Sequence, residues 1–200
     1  MSFLRFFHPR RFLRKLKYWL GALSFRVQCR INHVKYNIGE NVRIWRCKVV
    51  SKKDGIIIIG NDCILRGAAF CFYGNGGRIE LRDKVFINAY PWARTSFYVN
   101  NSSSILIEND CLFSNTIDVS TTDWHSIYDD KGTRLNPEKD VHIGQHVWIG
   151  SKVTVCKGVF IPDGSVCGAC SVVTKPFSES NIIIAGNPAV IKKRGISWKH

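Results

Sequence analysis

The sequence lacks long apolar runs, early acidic residues and the common nucleotide-binding motifs. No stretch approaches the roughly 18 consecutive apolar residues of a transmembrane helix. Basic residues interrupt the apolar residues near the N terminus, so we expect no secretory signal peptide. Neither a P-loop nor a dinucleotide fingerprint occurs. We therefore expect a cytoplasmic protein that does not span the membrane.

Acidic residues are absent before Glu40, whereas nine of the 29 Lys and Arg residues lie within residues 1–35. The net charge of +14 is therefore largely a property of this end. Apolar residues alternate with the basic ones at roughly helical spacing, which predicts a basic amphipathic segment over 1–35. We expect residues 1–30 to contact the anionic inner face of the cytoplasmic membrane, or the segment to cap the following domain. No nucleic-acid partner is expected.

Eight cysteines are spread along the chain. Without a signal peptide, we predict that they are reduced thiols. Cys167 and Cys170 form a C-x-x-C pair, but no βαβ pattern surrounds them, so a redox motif is disfavoured.

Apolar residues recur every six positions in the C-terminal half. The clearest run is Ile143, Ile149, Val155, Ile161, Cys167 and Val173. Earlier runs, offset in phase, are Ile38, Ile44, Val50 and Ile56; Ile59, Leu65 and Cys71; Leu81, Ile87, Ala93, Val99 and Ile105; and Ile107, Phe113 and Val119. A period of six fits neither an α-helix nor a plain strand. It indicates short strands joined by turns, with three strands in each coil of about 18 residues.

The segment IGQHVWIGSKVTVCKGVFIPDGSVCGACSVVTKPF at 143–177, followed by AGNPA at 185–189, resembles the hexapeptide-repeat acyltransferases. The most similar branches are the maltose and galactoside acetyltransferases and the capsule and lipopolysaccharide O-acetyltransferases. The resemblance covers about residues 38–195. It implies an all-β fold, a left-handed parallel β-helix over 36–195, with a C-terminal tail at 196–200. It also implies acetyl-CoA as co-substrate, a carbohydrate acceptor and a homotrimer. We expect that no metal is required.

The six-residue step fails over 120–142, which predicts a loop extruded from the coils. Transfer to a hydroxyl needs a base near neutral pH, and histidine suits that task. His125 lies in this loop, and the resemblance implies that it is the catalytic base. Asp123 could orient the imidazole, with Asp129 and Asp140 as alternatives. Trp124, between Asp123 and His125, is assigned to substrate binding.

Two further residues are assigned to the acceptor site by resemblance. Trp148 is predicted to point outward from the coil, and a subunit contact is the alternative role for it. Asn88 matches an acceptor-site asparagine of the sugar acetyltransferases. His142 and His146 are four residues apart, but we expect them on strands and a corner, where this spacing does not make a metal site.

The donor site is also assigned by resemblance. The pantetheine arm is expected against small residues, namely Gly150, Gly168, Ala169, Ala185 and Gly186. The phosphates are expected near basic residues, namely Lys175, Lys192, Lys193 and Arg194, with a solvated tail as the alternative for 192–194. The predicted function is acetyl-CoA-dependent O-acetylation of a sugar in a bacterial surface polysaccharide or its lipid-linked precursor. N-acylation of an amino sugar and a non-catalytic β-helix scaffold are the alternatives.

Overall fold

A computed structural model of the chain describes residues 9–89 and 92–200, with side chains from residue 12 onward. The predicted amphipathic segment 1–35 therefore lies partly outside the described residues. Its described part forms helix α1, Pro9–Ile31, and the first strand already begins at Val34.

Within the described residues, eighteen strands follow α1 in six successive coils of three strands each. The first three coils contain β1 Val34–Ile38, β2 Arg43–Trp45 and β3 Lys48–Ser51; β4 Gly55–Ile59, β5 Ile64–Arg66 and β6 Ala68–Phe72; and β7 Gly77–Leu81, β8 Phe86–Asn88 and β9 Thr95–Val99. The next three contain β10 Ser104–Ile107, β11 Leu112–Phe113 and β12 Asp118–Ser120; β13 Val141–Ile143, β14 Trp148–Ile149 and β15 Thr154–Val155; and β16 Phe160–Ile161, β17 Val166–Cys167 and β18 Val172–Val173. A hairpin of β19 Ile182–Gly186 and β20 Ala189–Arg194 ends the described strands.

Each coil contributes one strand to each of three parallel sheets. Sheet A has the order β1-β4-β7-β10-β13-β16, and sheet C runs from β3 through β6, β9, β12 and β15 to β18. Sheet B contains the second strand of every coil, and the hairpin extends it as β17-β19-β20. The predicted all-β architecture, a parallel β-helix with three-sided coils, is confirmed.

The interior of the coils holds the apolar column that the repeat predicts. All six residues of the clearest run, from Ile143 to Val173, are fully buried. The earliest run is correct at Ile44, which is buried in the core. Its second half is wrong by one residue, because Val49 and Ile57 enter the core while Val50 and Ile56 point outward. The cause is coil length. Ile143 pairs with Ile161, 18 residues on, whereas Val34 pairs with Gly55, 21 residues on.

Two other predicted core positions also lie outside the core. Phe70 and Phe72 enter the core on β6, so Cys71 between them points outward although it is buried. Ala93 lies in the connection between β8 and β9 rather than on a strand. Extra residues at corners therefore shift the phase that a fixed step assumes.

The cysteines form no disulfide, and most of them are buried. All eight are free, and Cys29, Cys47, Cys63, Cys111 and Cys167 belong to the buried core. Burial raises the pKa of the Cys47 thiol to about 11. In the C-x-x-C pair, Cys167 faces the interior while Cys170 is exposed at a corner. This arrangement fits the structural interpretation of the pair.

Helix α1 caps the N-terminal end of the coils. Phe25 and Cys29 are fully buried, and the Phe25 ring packs edge-on against Phe70 with centroids 5.6 Å apart. A Cβ atom at Gly21 would collide with the carbonyl oxygen of Ile44, so the helix lies directly on β2. The cap that the sequence left as an alternative is therefore present.

The opposite face of α1 is apolar and exposed. Its residues recur at intervals of three and four, and they include Leu16, Trp19, Leu20, Leu23, Val27 and Ile31. This helix is not apolar enough along its length to span a bilayer.

Candidate active site

The loop that leaves the β-helix covers residues 121–140, between β12 and β13. Lys157 anchors it from the fifth coil. The Lys157 ammonium donates to the carbonyl oxygens of Asn136 at 2.9 Å and Pro137 at 3.0 Å. It also pairs with the Asp123 carboxylate at 2.5 Å. The loop is therefore fixed to the scaffold by a largely buried cation.

His125 is exposed near the start of this loop. Its backbone N–H donates to the Asp123 carbonyl at 2.8 Å, but its ring has no hydrogen bond to a described residue. The Asp123 carboxylate bonds to Lys157 and to the Asn136 amide instead. Burial alone would raise the pKa of Asp123, but these hydrogen bonds outweigh it and lower that pKa below its ordinary value.

The two alternative orienting carboxylates are also engaged elsewhere. Asp129 accepts the backbone N–H groups of Lys131 and Thr133 within its own turn. Asp140 accepts the backbone N–H of Ser104 at 2.7 Å. None of the three carboxylates is hydrogen-bonded to the His125 ring within the described chain, so the orienting partner stays a prediction.

Trp124 holds the start of the loop against sheet C. Its ring meets Tyr73 and Tyr98 edge-on, with centroid distances of 4.9 and 5.0 Å. Its backbone adopts a φ of 68°, which is unusual for a bulky side chain. These contacts place His125 at the edge of sheet C where its strands end. The repeat predicts neither tyrosine contact, because nothing in it distinguishes an outward position that makes a contact from one that does not.

Trp148 points outward from sheet B, as predicted, and is 38% exposed. Its indole N–H donates to the hydroxyl of Ser114 at 3.3 Å. Its ring lies 6.0 Å from that of Trp198. Trp148 therefore sits on an open face between a hydroxyl group and the C-terminal tail.

The tail at 196–200 folds back onto the coils, a feature that no pattern in the sequence predicts. Trp198 stacks on His146 with centroids 4.1 Å apart and donates its indole N–H to the His146 carbonyl. The ligand atoms of Asp110, His146 and His200 lie within 4.8 Å of one another, a spacing that could hold a metal ion. His142 pairs with Glu108 instead, so it does not join this group.

One edge of sheet B brings together four of the predicted acceptor and donor residues, namely Asn88, Gly150, Gly168 and Ala185. At this edge Trp45 pairs with Arg66, and Arg66 pairs with Asn88. In the following coils the same register continues one residue past the last paired positions, through Ser114, Gly150, Gly168 and Ala185. We call this alignment the sheet B column. A Cβ atom at Gly150 would lie 2.7 Å from the Cys167 carbonyl oxygen, so glycine fits where a larger residue would strain the corner. Asn88 thus shares an edge with the donor residues, which the sequence could not establish across the phase slips.

The other donor residues lie around the end of this column, except Lys175, which follows β18 at the far edge of sheet C. Ala169 is at the corner that follows Gly168, and Gly186 has a φ of 112° before the turn of the β19–β20 hairpin. The basic residues Lys175, Lys192 and Lys193 are exposed. Arg194 pairs with the Glu179 carboxylate at 2.7 Å. The other three predicted phosphate contacts form no such ion pair within the described chain.

His125 and the sheet B column lie at different corners of the triangular coil. The column lies where sheet B turns into sheet C, whereas the loop leaves where sheet C ends and sheet A begins. Sheet C therefore separates the predicted base from the predicted donor residues within one chain.

Architecture and sequence together define the class: the chain belongs to the hexapeptide-repeat acyltransferase family. It is 32% identical, over 78% of its length and 80% of the relative's, to WbbJ of Escherichia coli K12, which is named as a lipopolysaccharide biosynthesis O-acetyl transferase. It is 35% identical over 80% of its length to a polysialic acid O-acetyltransferase of Neisseria meningitidis. No family model matches the chain.

A solved structure gives the same assignment. The crystal structure of the polysialic acid O-acetyltransferase OatWY matches with a TM-score of 0.58 and 28% identity, covering 84% of this chain and 90% of that one. The fold is accordingly the left-handed parallel β-helix of these acetyltransferases. The chain spans 66%, 33% and 62% of the lengths of two polysialic acid O-acetyltransferases and a galactoside O-acetyltransferase that it matches.

Proposed function

We propose that the protein is an acetyl-CoA-dependent O-acetyltransferase that modifies a sugar hydroxyl of a bacterial surface polysaccharide or of its lipid-linked precursor. The observation that carries this proposal is the sheet B column. It aligns Asn88, a candidate acceptor contact, with the small residues of the candidate donor groove, and Trp148 lies beside them on the same sheet.

The donor end of the column suits coenzyme A. Gly150, Gly168 and Ala185 have no long side chain, so the thin pantetheine arm could lie against the backbone at this edge. Exposed lysines on strand β20 of the hairpin, Lys192 and Lys193, are available to the phosphates. The thioester would then lie near Trp148.

His125 supplies the base in this proposal. The acceptor oxygen attacks the thioester carbonyl carbon while the imidazole takes the hydroxyl proton, and the same proton then goes to the departing CoA sulfur. A hydrogen-bond donor such as the Trp148 indole N–H would stabilise the oxyanion that forms between these steps.

The separation of His125 from the column favours shared sites in a homotrimer. In a trimer with parallel axes, the loop of one chain can face the sheet B column of the next. A Trp148→Ala chain and a His125→Ala chain, each inactive alone, should then recover part of the activity when they are mixed and reassembled. A monomer by light scattering at micromolar concentration would contradict shared sites.

The exposed face of α1 favours peripheral binding at the inner surface of the cytoplasmic membrane. Apolar residues on that face and the basic residues of the same segment combine two attractions to an anionic bilayer. Membrane-anchored acceptors would then be close to the enzyme.

The direct test is mass spectrometry of candidate glycans and amino sugars incubated with protein and acetyl-CoA. Replacement of a hydroxyl hydrogen by an acetyl group raises the mass of the glycan by about 42. This increase as an ester supports O-acetylation, whereas exclusive amide formation contradicts it. His125→Ala should lower turnover by about a hundredfold to ten-thousandfold. His142→Ala is the matched control, because His142 lies on sheet A with its own partner, Glu108. Near-native turnover of His125→Ala would refute the assigned base.

A further inference from the structure

A cavity of about 350 Å³ opens between α1 and the first three coils. Its charged lining residues come from several elements and are all cationic: Lys17, Arg46, Arg66 and Arg94. No acidic residue is among the described residues that line it. The volume lies within the range of about 300–1,000 Å³ typical of small-molecule sites.

These four cations are not neutralised by carboxylates within the described chain. Arg66 instead donates to the Tyr18 hydroxyl at 3.0 Å and to the side-chain oxygen of Asn88 at 3.3 Å. Arg94 donates to the Arg46 carbonyl at 3.2 Å. Neutral acceptors therefore orient two of the guanidinium groups and leave their positive charge uncompensated.

The walls of the cavity also suit a sugar. Trp45 contributes an indole ring to the wall. The Lys17 ammonium lies 4.6 Å and the Arg46 guanidinium 5.5 Å from a ring centroid of Trp45. Small residues, Gly67 and Ala93 among them, leave the space open. An aromatic surface beside cations favours a ligand with an apolar face and an anionic substituent.

The cavity is in line with the proposed transfer site. Trp45, Arg66 and Asn88 form the N-terminal end of the sheet B column. Adjacent strands lie about 4.8 Å apart, so Asn88 is roughly 10 Å and Arg66 roughly 14 Å below Gly150. A glycan held in the cavity could therefore extend along the column toward the donor.

We propose that this cavity is an acceptor subsite for an anionic group, a carboxylate or a phosphate, so that the substrate is an acidic glycan. The role as acceptor subsite rests on the proposed function, whereas the anion binding follows from the cavity itself. Four uncompensated cations repel one another, and an anionic ligand relieves that repulsion while a neutral sugar does not.

The test compares matched probes by isothermal titration calorimetry at low salt. The carboxylate pair is a sialic acid trisaccharide and the same trisaccharide with its carboxyl groups reduced to alcohols. The phosphate pair is maltose 1-phosphate and maltose. We expect at least one anionic probe to bind about tenfold or more tightly than its neutral partner, and the pair that shows the difference identifies the anionic group.

Three variants locate the binding. Arg66→Gln and Arg94→Gln should each weaken the anionic probe about tenfold, and Ala93→Phe should block the cavity without changing charge. Arg43→Gln is the control, because it removes the same charge from β2 outside the cavity. Equal binding of anionic and neutral probes, or binding that Arg43→Gln weakens as much as Arg66→Gln does, would overturn the inference.

Acetyl-CoA hydrolysis without acceptor separates this inference from the proposed function. If acetyl-CoA hydrolysis depends on His125 but anionic probes bind no more tightly than neutral ones, only the subsite is overturned. Anion binding in the cavity without any acetyl transfer overturns the proposed function, and leaves an anion-binding cavity.

Discussion

Helix α1 is expected to carry two separable roles, one on each face. Phe25 is fully buried against Phe70 on the face that caps the coils. Trp19, on the opposite face, is 62% exposed, so it contributes little to the folded chain. Substitutions on the two faces should therefore affect different measurements.

The cap prediction concerns stability. Phe25→Ala should cost about 3–5 kcal/mol, the usual loss for a buried phenylalanine. For a chain of this size, each kcal/mol lowers Tm by about 2–4 °C, so we expect a fall of roughly 6–20 °C by scanning calorimetry. Trp19→Gln, an exposed substitution, should change stability by no more than about 0.5 kcal/mol.

The membrane prediction concerns the other face. Leu16→Gln, Trp19→Gln and Leu23→Gln together remove apolar groups that a bilayer would cover. A fully buried side chain of this size contributes about 1.5–3 kcal/mol, and these are about half exposed, so we expect a loss of roughly 2–4 kcal/mol. Co-sedimentation with anionic vesicles should weaken about thirtyfold or more. Phe25→Ala, assayed below its lowered Tm, should retain vesicle binding.

Two results would refute this division of roles. An unchanged Tm for Phe25→Ala would show that the helix does not stabilise the coils. Vesicle binding of the triple variant equal to that of the unaltered protein, or no vesicle binding by either, would show that the exposed face does not contact lipid.

Three further predictions concern the loop and the thiols. Lys157→Met should lower kcat at least about tenfold with little change in Tm, because it removes the cation that fixes the loop; kinetics and calorimetry check both, and an unchanged kcat would contradict the anchoring role. Hydrogen bonding from Arg134 lowers the pKa of Glu138 below its ordinary 4.5, so this pair's contribution to loop stability is fully present above pH 4.5 and is lost as pH falls through the lowered pKa. The measurement is hydrogen exchange of the loop amides, corrected for intrinsic exchange rates. Their protection should be constant between about pH 5 and 8 and should fall only in acid. Iodoacetamide should modify exposed Cys170 rapidly and buried Cys167 only after unfolding, which peptide mass spectrometry can distinguish; equal rates would contradict the placement of the pair.

The extent of sequence prediction differs along the chain for a physical reason. From Ile143 to Val173 each coil has 18 residues, so a fixed step of six keeps its phase and identifies the buried column. In the first coils, added corner residues change the step, and the choice between Val49 and Val50 depends on strand pairing. Local periodicity cannot report how many residues a corner absorbs.

The candidate site shows the same division. The sequence by itself determined the repeat, the interruption that contains His125, and the outward position of Trp148, because each depends only on neighbouring residues. Only the tertiary structure decided that Asp123 pairs with Lys157, and that Arg66 and Asn88 align with Gly150. Asp123 and Lys157 are 34 positions apart, and Arg66, Asn88 and Gly150 lie in three different coils. The stacking of coils brings these residues together, and it leaves no periodic signal in the chain.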